Sequence, residues 1–571
     1  MSQLKYSLFI SLFLLTVFIL AVIVWYSPVL FKGYPAYTMT TNALMGRNVY
    51  LTGLYSAEND LNVFLASDLI EEQGHLSIYG NKLTSLAYGK LFALIGLPEA
   101  DNFVLLSVFI YALTLLIFTG VVLYLFKFKT AAIFALIYIF LPFNWHSSYH
   151  LGTYEFTLFF LALFFLFYFY GIRQNGIRQK NSYIYLIIAG AFLALSCLSR
   201  EALLLIVPFL LIYLWLTKQR NSLAYIFIPF TILFVLLWLP NLSHNAYMQF
   251  FTTQVSEENK AADFTFYGHV YPDPYTYHFE QEAYLEESRN KIINNELVLA
   301  KEINNIRMFK NMGIWDISLF DRIRAGLMLG SRHIFRFVSL EDIGGPFILL
   351  LILLGLYSLR QKNKRLFQFF VYWVFSTIFS LAFIVLAGRN HLMDFNWAIA
   401  LLISLGVLIL SKVIINYFNL ANKKALIVYI IILFTVLYNF ILVSHVSWSR
   451  TYDNSNNLMV EAYVQEIKKL NIPDHEVIAV NLDSAGLYNL NYLVDKSVVL
   501  FKPETIKDLL KENRLDWAFE QFKVRYILGY SDELTEKIVD QIEIVNIASD
   551  SLKPAIPEMS RNKGWLMNLV K

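Results

Sequence analysis

Two acidic residues, Glu58 and Asp60, stand at the start of an amphipathic segment between the first two long apolar runs. Apolar residues then recur every three or four positions, which predicts a helix over 58–73 lying in the membrane interface. A carboxylate beside a bilayer can act as a general base that removes a proton from an attacking hydroxyl. The structural alternative is a helix cap, since acids in a first turn bind amides and favour the helix dipole.

A third acid, Glu155, opens a later apolar run and follows an aromatic and histidine cluster of Trp145, His146 and His150. Aromatic rings and imidazoles suit stacking and hydrogen bonding to a sugar, but they also suit the aromatic belt of a membrane interface. Glu155 is a candidate for binding an acceptor, orienting a basic group or holding a metal. It is equally typical of an ordinary helix start, where an acid favours the dipole.

Charged residues beside other apolar runs form a second set of candidates. Arg200 and Glu201 lie between two apolar runs with almost no loop, and Arg389 and His391 precede another run. The planar guanidinium group suits a phosphate, so Arg200 is a candidate for holding a lipid phosphate, as are Arg389 and His391. The alternatives are pairing of Arg200 and Glu201 with nearby groups, and surface solvation of Arg389 and His391.

The composition places these residues in a membrane protein. The chain has 571 residues, of which 57% are hydrophobic and 16% are charged, and its mean hydropathy is +0.51. A soluble domain is about a quarter charged, and recurring apolar runs of about 18 or more residues indicate membrane spans. The net charge of +3 is too small and too dispersed to indicate nucleic-acid binding. The single cysteine, Cys197, excludes a disulfide within the chain.

The apolar runs predict about eleven transmembrane helices. The first run, Leu8 to Trp25, is longer than a signal-peptide core and has no clear cleavage site, so it is interpreted as a retained helix. The predicted spans are 7–26, 103–126, 130–145, 153–171, 182–198, 201–217, 222–240, 346–359, 366–387, 396–415 and 425–445.

Charge predicts the orientation of these spans in the cell membrane. Short loops rich in Lys and Arg are assigned to the cytoplasm, which places the N-terminus inside and the C-terminal segment outside. The outer face then carries two long segments, a first outer loop at 27–102 and a second at 241–345. The ten histidines lie in or beside outer segments, so we expect the outer face to be the working face.

The chain is predicted to contain two domains. A mostly α-helical transmembrane domain covers 1–445, and a small extracytoplasmic α/β domain covers 446–571. Alternating strands and helices indicate the second domain. Its predicted strands are 476–481, 497–501 and 525–529, and its predicted helices are 459–470 and 506–514.

A second interfacial helix, Asn81 to Leu94, ends in Leu-Phe-x-x-x-Gly just before the next span. The first helix contains Ala66 and ends in Glu-Gln-Gly at 72–74. In this order of features the chain resembles the GT-C superfamily of integral membrane glycosyltransferases, which includes the protein O-mannosyltransferases and the lipid A aminoarabinose transferase. The resemblance covers residues 1 to about 220 best.

The resemblance implies a glycosyltransferase that moves a sugar from a polyprenyl-phosphate carrier to an acceptor hydroxyl, with inversion and a carboxylate base. The expected partners are the lipid-linked sugar, a glycan, lipid or protein acceptor, and membrane lipids. The family's usual Asp-Glu pair stands about eight residues before a helical alanine, and counting back from Ala66 gives Glu58 and Asn59. The second acid is therefore missing and Asp60 is displaced, so either Glu58 or Asp60 is the expected base.

The resemblance also implies that Glu155 assists and that Arg200 and Arg389 neutralise phosphate. The cofactor is undetermined, and a divalent ion held by Glu58, Asp60 and Glu155 is one alternative. Two other functions stay open, a transporter or flippase of lipid-linked sugars and a non-catalytic membrane assembly subunit. A transporter needs polar residues deep in the spans, and spans that are nearly free of charge at their centres favour the enzyme.

Overall fold

A computed structural model gives the architecture of the chain. It describes residues 3–25, 100–141, 155–175, 182–217, 219–242, 345–379 and 396–452, with short stretches and single positions within 87–94, 323–331 and 464–547. Helices dominate these residues, as the sequence predicts for a membrane domain.

Every predicted span has a helical counterpart in the described part of the chain. Six of the helices are long and apolar enough to cross a membrane, namely α1, α2, α4, α5, α8 and α10, and a crossing by the others stays a prediction. In chain order the helices are α1 (Gln3–Trp25), α2 (Ala100–Leu125), α3 (Phe128–Ile139), α4 (Glu155–Asn175), α5 (Ser182–Ser199), α6 (Val207–Leu216), α7 (Arg220–Leu242), α8 (Gly345–Lys362), α9 (Lys364–Phe379), α10 (Asn396–Tyr417) and α11 (Lys424–Tyr452).

Two of the predicted spans differ from the observed helices for local reasons. Helix α3 ends before 145, because Phe140 leaves the helical conformation at φ −101° and ψ 14°. Pro142 follows in the sequence, and proline restricts the residue before it and has no N–H to donate. The span predicted at 201–217 opens as a 3-10 helix over Glu201–Ile206, and α6 then begins with Pro208 in its first turn, where proline is tolerated.

Helices α4 and α5 form an antiparallel pair. Near the end of α5, the Ser196 hydroxyl donates a hydrogen bond of 2.9 Å to the carbonyl oxygen of Thr157, near the start of α4. At the other end of the pair, Gly171 of α4 lies against Leu186 of α5, and a Cβ at Gly171 would stand 2.8 Å from the Leu186 side chain. The start of α4 and the end of α5 therefore lie side by side.

Aromatic rings from α2, α4, α9 and α10 fill the centre of the helical bundle. The Trp397 ring is stacked on Phe118 with their centroids 5.5 Å apart and an interplanar angle of 7°. It also lies 4.4 Å from the Phe165 ring and 4.9 Å from the Phe370 ring. Close aromatic pairs contribute roughly 0.5–1.5 kcal/mol beyond the burial of their area. The centre where these four helices meet is therefore apolar and tightly packed.

Helices α8 and α10 approach each other closely at two glycines. A Cβ on Gly355 would collide with the carbonyl oxygen of Leu402, and a Cβ on Gly406 would collide with the carbonyl oxygen of Leu351. Each helix therefore contributes one glycine to the crossing, and small residues of this kind let the backbones of membrane helices approach closely.

Four parallel strands lie after the helical bundle, in the sheet order β2-β1-β3-β4. The first three coincide with predicted strands to within a residue at each end. Parallel neighbours need crossover connections, and positions between β2 and β3 are helical, as predicted for 506–514. The strands are β1 (Val477–Val480), β2 (Ser497–Leu500), β3 (Val524–Leu528) and β4 (Asn546–Ile547).

The helix predicted over Asn81 to Leu94 is confirmed at its described positions, and its location in the membrane interface stays a prediction. Ala87, Lys90, Leu91 and Leu94 are helical. Ala87 and Leu91, one turn apart, pack against the core of the bundle, whereas Leu94 is exposed. The first interfacial helix, predicted over 58–73, lies outside the described residues.

We predict that Gly355→Ala lowers the stability of the folded protein. The added methyl group has to displace the Leu402 backbone, and overpacking of this kind costs about 1–3 kcal/mol. Gly120→Ala in α2 is the matched control, since nothing lies within 4 Å of a Cβ there and alanine is favoured in helices. Thermal unfolding in detergent measures both. An equal or smaller loss for Gly355→Ala would contradict the close crossing of α8 and α10.

Candidate active site

Glu155 is the first residue of α4, and its side chain is fully buried at 0% exposure. The helix dipole favours a carboxylate at this position. Burial opposes it, because an ionised carboxylate removed from water is costly unless other groups compensate. Glu155 does have interaction partners. The acid predicted from sequence therefore lies inside the bundle and is not a solvated residue at a helix start.

Arg200 follows the last residue of α5 and is 4% exposed. Its backbone is extended, at φ −155° and ψ 106°, and it separates α5 from the 3-10 helix that begins at Glu201. The Arg200 N–H still donates to the Ser196 carbonyl oxygen at 3.0 Å, and the Arg200 carbonyl oxygen accepts from the Leu203 N–H at 3.1 Å. This change of helix type places a basic side chain in the interior at the end of α5.

The antiparallel course of α4 and α5 brings Glu155 and Arg200 to the same end of the pair. The Ser196–Thr157 hydrogen bond lies one turn inside that end, since Ser196 precedes Arg200 by four positions and Thr157 follows Glu155 by two. We call this group the α4–α5 polar cluster. Its members are all buried, and they are Glu155, Thr157, Ser196, Ser199 and Arg200.

The α4–α5 polar cluster combines an acceptor, a fixed cation and hydroxyl groups in a low-dielectric setting. A carboxylate and a guanidinium at the same end can each offset part of the desolvation cost of the other, whereas either charge alone would carry its full cost. The Ser199 hydroxyl is buried and has no hydrogen-bond partner among the described residues. A guanidinium group with a hydroxyl next to it can donate several hydrogen bonds to the oxygens of a phosphate.

The other residues predicted from sequence cannot be placed against this cluster. Glu201 begins the 3-10 helix, but its side chain is not among those described. Outside the described residues lie Glu58, Asp60, Trp145, His146, His150, Arg389 and His391. Of the candidates, the structure therefore brings together Glu155 and Arg200.

Sequence analysis missed the hydroxyl members of the cluster. Ser196 and Ser199 precede Arg200 at the end of an apolar run, so three polar residues in five positions were the available signal. It also missed Asn439 in α11, which is 0% exposed and whose side-chain amide has no hydrogen-bond partner within the described part of the chain.

No metal site can be built from the described residues, which contain no group of three His, Cys, Asp or Glu side chains able to share an ion. Of the three acids named as possible metal ligands, only Glu155 is described. Its carboxylate oxygens are of the type that binds divalent cations. Whether Glu58 and Asp60 complete such a set stays a prediction.

Comparison by sequence finds no matching family model and no similar curated protein. Comparison by structure finds membrane transferases. The apo oligosaccharyltransferase of Archaeoglobus fulgidus is similar over 90% of this chain and 69% of its own, with 12% identity and a TM-score of 0.53. The same coverage, 13% identity and a TM-score of 0.52 are found for AglB of A. fulgidus in complex with an inhibitory peptide and a dolichol-phosphate.

ArnT from Cupriavidus metallidurans, bound to undecaprenyl phosphate, is similar over 96% of this chain and 90% of its own, with 11% identity and a TM-score of 0.47. The resemblance predicted from sequence is thus confirmed at the level of the fold by the archaeal oligosaccharyltransferase. The chain has the fold of the GT-C membrane glycosyltransferases.

Proposed function

We propose that this chain is a membrane glycosyltransferase that moves a sugar from a polyprenyl-phosphate donor to an acceptor hydroxyl. The observation that carries the proposal is the burial of Glu155 and Arg200 at one end of the α4–α5 pair within a GT-C fold. Charges inside a membrane bundle are expensive, and they are retained where they bind substrates or ions. A lipid-linked sugar phosphate has the matching chemistry, with a charged head group and an apolar tail.

Arg200 is proposed to hold the phosphate of the donor. Its planar guanidinium group can bind two phosphate oxygens at once, and the buried hydroxyl of Ser199, the preceding residue, is proposed to supply a further donor. The structurally similar AglB is in complex with a dolichol-phosphate, which supports a polyprenyl phosphate as the ligand proposed for this chain. Arg389 and His391 are proposed as a second basic group for the same phosphate.

The proposed reaction inverts the anomeric carbon. The acceptor oxygen attacks this carbon as the bond to the phosphate oxygen breaks, and the lipid phosphate leaves with the bonding electron pair. The acceptor proton passes to a carboxylate, either Glu58 or Asp60. Negative charge grows on the leaving phosphate, where Arg200 would stabilise it. A phosphate is a better leaving group than an alkoxide, so the reaction does not require a general acid.

Glu155 is proposed to orient Arg200 and to help bind the acceptor. A carboxylate at the same end of the helix pair favours one direction of the guanidinium fork and limits its rotation. Trp145, His146 and His150 precede Glu155 closely in the sequence, so they are proposed to line the acceptor side with aromatic and imidazole groups.

We predict that Arg200→Lys raises the KM for the lipid-linked donor by about 10-fold to 100-fold, with a smaller effect on kcat. Lysine keeps the buried charge but loses the planar fork, and a hydrogen bond to a charged group contributes about 1.5–3 kcal/mol. Steady-state kinetics with a labelled polyprenyl-phosphate sugar measures both constants. An unchanged KM would remove Arg200 from the donor site.

Ser199→Ala should weaken donor binding several-fold, whereas Ser358→Ala should not. Both substitutions delete one buried hydroxyl that has no hydrogen-bond partner among the described residues, so their effects on folding should match. Ser358 lies in α8 and is not part of the α4–α5 polar cluster. Equal donor affinities for the two variants would show that Ser199 does not contact the donor.

The base is tested with purified protein in lipid, labelled polyprenyl-phosphate sugars and candidate acceptors. Either Glu58→Gln or Asp60→Asn should lower turnover by about 10²-fold to 10⁴-fold, since this is the usual contribution of a general base. If the parent consumes no donor, or if both variants turn over like the parent, the assignment fails. Movement of intact donor across the bilayer would instead indicate a transporter.

A further inference from the structure

The Ser196 hydroxyl makes a contact that differs from those of comparable buried hydroxyls. In α10, Ser404 and Ser411 each donate to the carbonyl oxygen four positions earlier in their own helix, at 2.6 Å. This local bond is a common one for a hydroxyl in a membrane helix. Ser196 is 0% exposed, and it donates instead to the Thr157 carbonyl oxygen on α4 at 2.9 Å. Its hydroxyl therefore joins two helices.

Ser196 also contacts Arg200, through the backbone. The Arg200 N–H donates to the Ser196 carbonyl oxygen at 3.0 Å, at the point where the chain leaves α5. Glu155 precedes Thr157 by two positions, in the first turn of α4. Two consecutive hydrogen bonds, from Arg200 to Ser196 and from Ser196 to Thr157, therefore connect the residue that carries the guanidinium to the turn that carries the carboxylate.

The other close contact of the α4–α5 pair is apolar. Gly171 packs against the Leu186 side chain, and it lies about 21 Å along α4 from Thr157 at 1.5 Å per residue. Apolar contact brings helices together without a preferred direction, whereas a hydrogen bond requires a narrow range of distances and angles. The Ser196 bond therefore constrains the register of the two helices at the end where Glu155 and Arg200 lie.

We propose that Ser196 is a positioning residue of the transferase, which sets the place of the Arg200 guanidinium relative to Glu155 and to the donor phosphate. This inference rests on the proposed function, because that function assigns Arg200 to the donor. A planar guanidinium binds two phosphate oxygens only when it is correctly placed, and a misplacement of about 1 Å can cost about 100-fold in rate. Ser196 is not proposed to contact the phosphate, since its hydroxyl already donates to α4.

The test compares Ser196→Ala with Ser404→Ala, each made in the parent and in the Arg200→Lys background. Both serines are 0% exposed and donate to a backbone carbonyl inside a helix, so the two substitutions should lower stability to a similar extent. Each full-length variant is purified in detergent. Thermal unfolding measures its stability, titration measures the dissociation constant of undecaprenyl phosphate, and steady-state kinetics measures the donor KM.

Ser196→Ala should raise the dissociation constant of undecaprenyl phosphate and the donor KM about fivefold, which is the factor that one neutral hydrogen bond contributes. Ser404→Ala should leave both values unchanged. In the Arg200→Lys background, Ser196→Ala should change both values less than about twofold, since a lysine ammonium is a point charge on a flexible stem and depends less on exact placement.

The same factor for Ser196→Ala in both backgrounds would overturn the inference, because residues that act independently have additive effects. Equal effects of Ser196→Ala and Ser404→Ala on donor binding in the parent would also overturn it, because they would reduce the role of Ser196 to stability alone. A parent chain that binds no undecaprenyl phosphate would overturn the proposed function and the inference with it, so the two failures are distinguishable.

Discussion

The cost of placing charge inside a helical bundle is the constraint on which this structure depends. Glu155 and Arg200 are both removed from solvent, and a buried charge left without compensation would cost several kcal/mol. The antiparallel α4–α5 pair lowers this cost, because it places one charge of each sign at the same end of the pair. The same low dielectric that makes these charges expensive also strengthens their interaction with a charged ligand.

The rest of the described bundle is held together by close apolar packing. Stacked rings around Trp397 fill the interior between α2, α4, α9 and α10, so the described centre offers no charge to either end. The glycine crossing of α8 and α10 allows the backbones of these two helices to approach closely. One end of the α4–α5 pair thereby combines a carboxylate with a guanidinium.

The sequence predicts the helices, three strands and the two buried charges, since apolar runs, alternation and charges beside apolar runs are local patterns. It does not predict the role of Ser196, because hydroxyls in apolar helices usually bond a carbonyl one turn earlier, as Thr114, Ser404 and Thr435 do. Ser196 instead bonds across to α4, and only the helix pairing reveals this. The crossing partners of Gly355 are likewise distant in sequence, so composition gives no sign of them.

A double-mutant cycle on Glu155→Gln and Arg200→Gln tests the central claim most directly, with donor affinity and unfolding free energy measured for the parent, both single variants and the double variant. If the two charges act as one buried unit, the cycle shows a coupling of about 1–3 kcal/mol, with the double variant less impaired than the sum of the single variants. Effects that add to within about 0.5 kcal/mol in both measurements would contradict the account, because independent sites behave in that way.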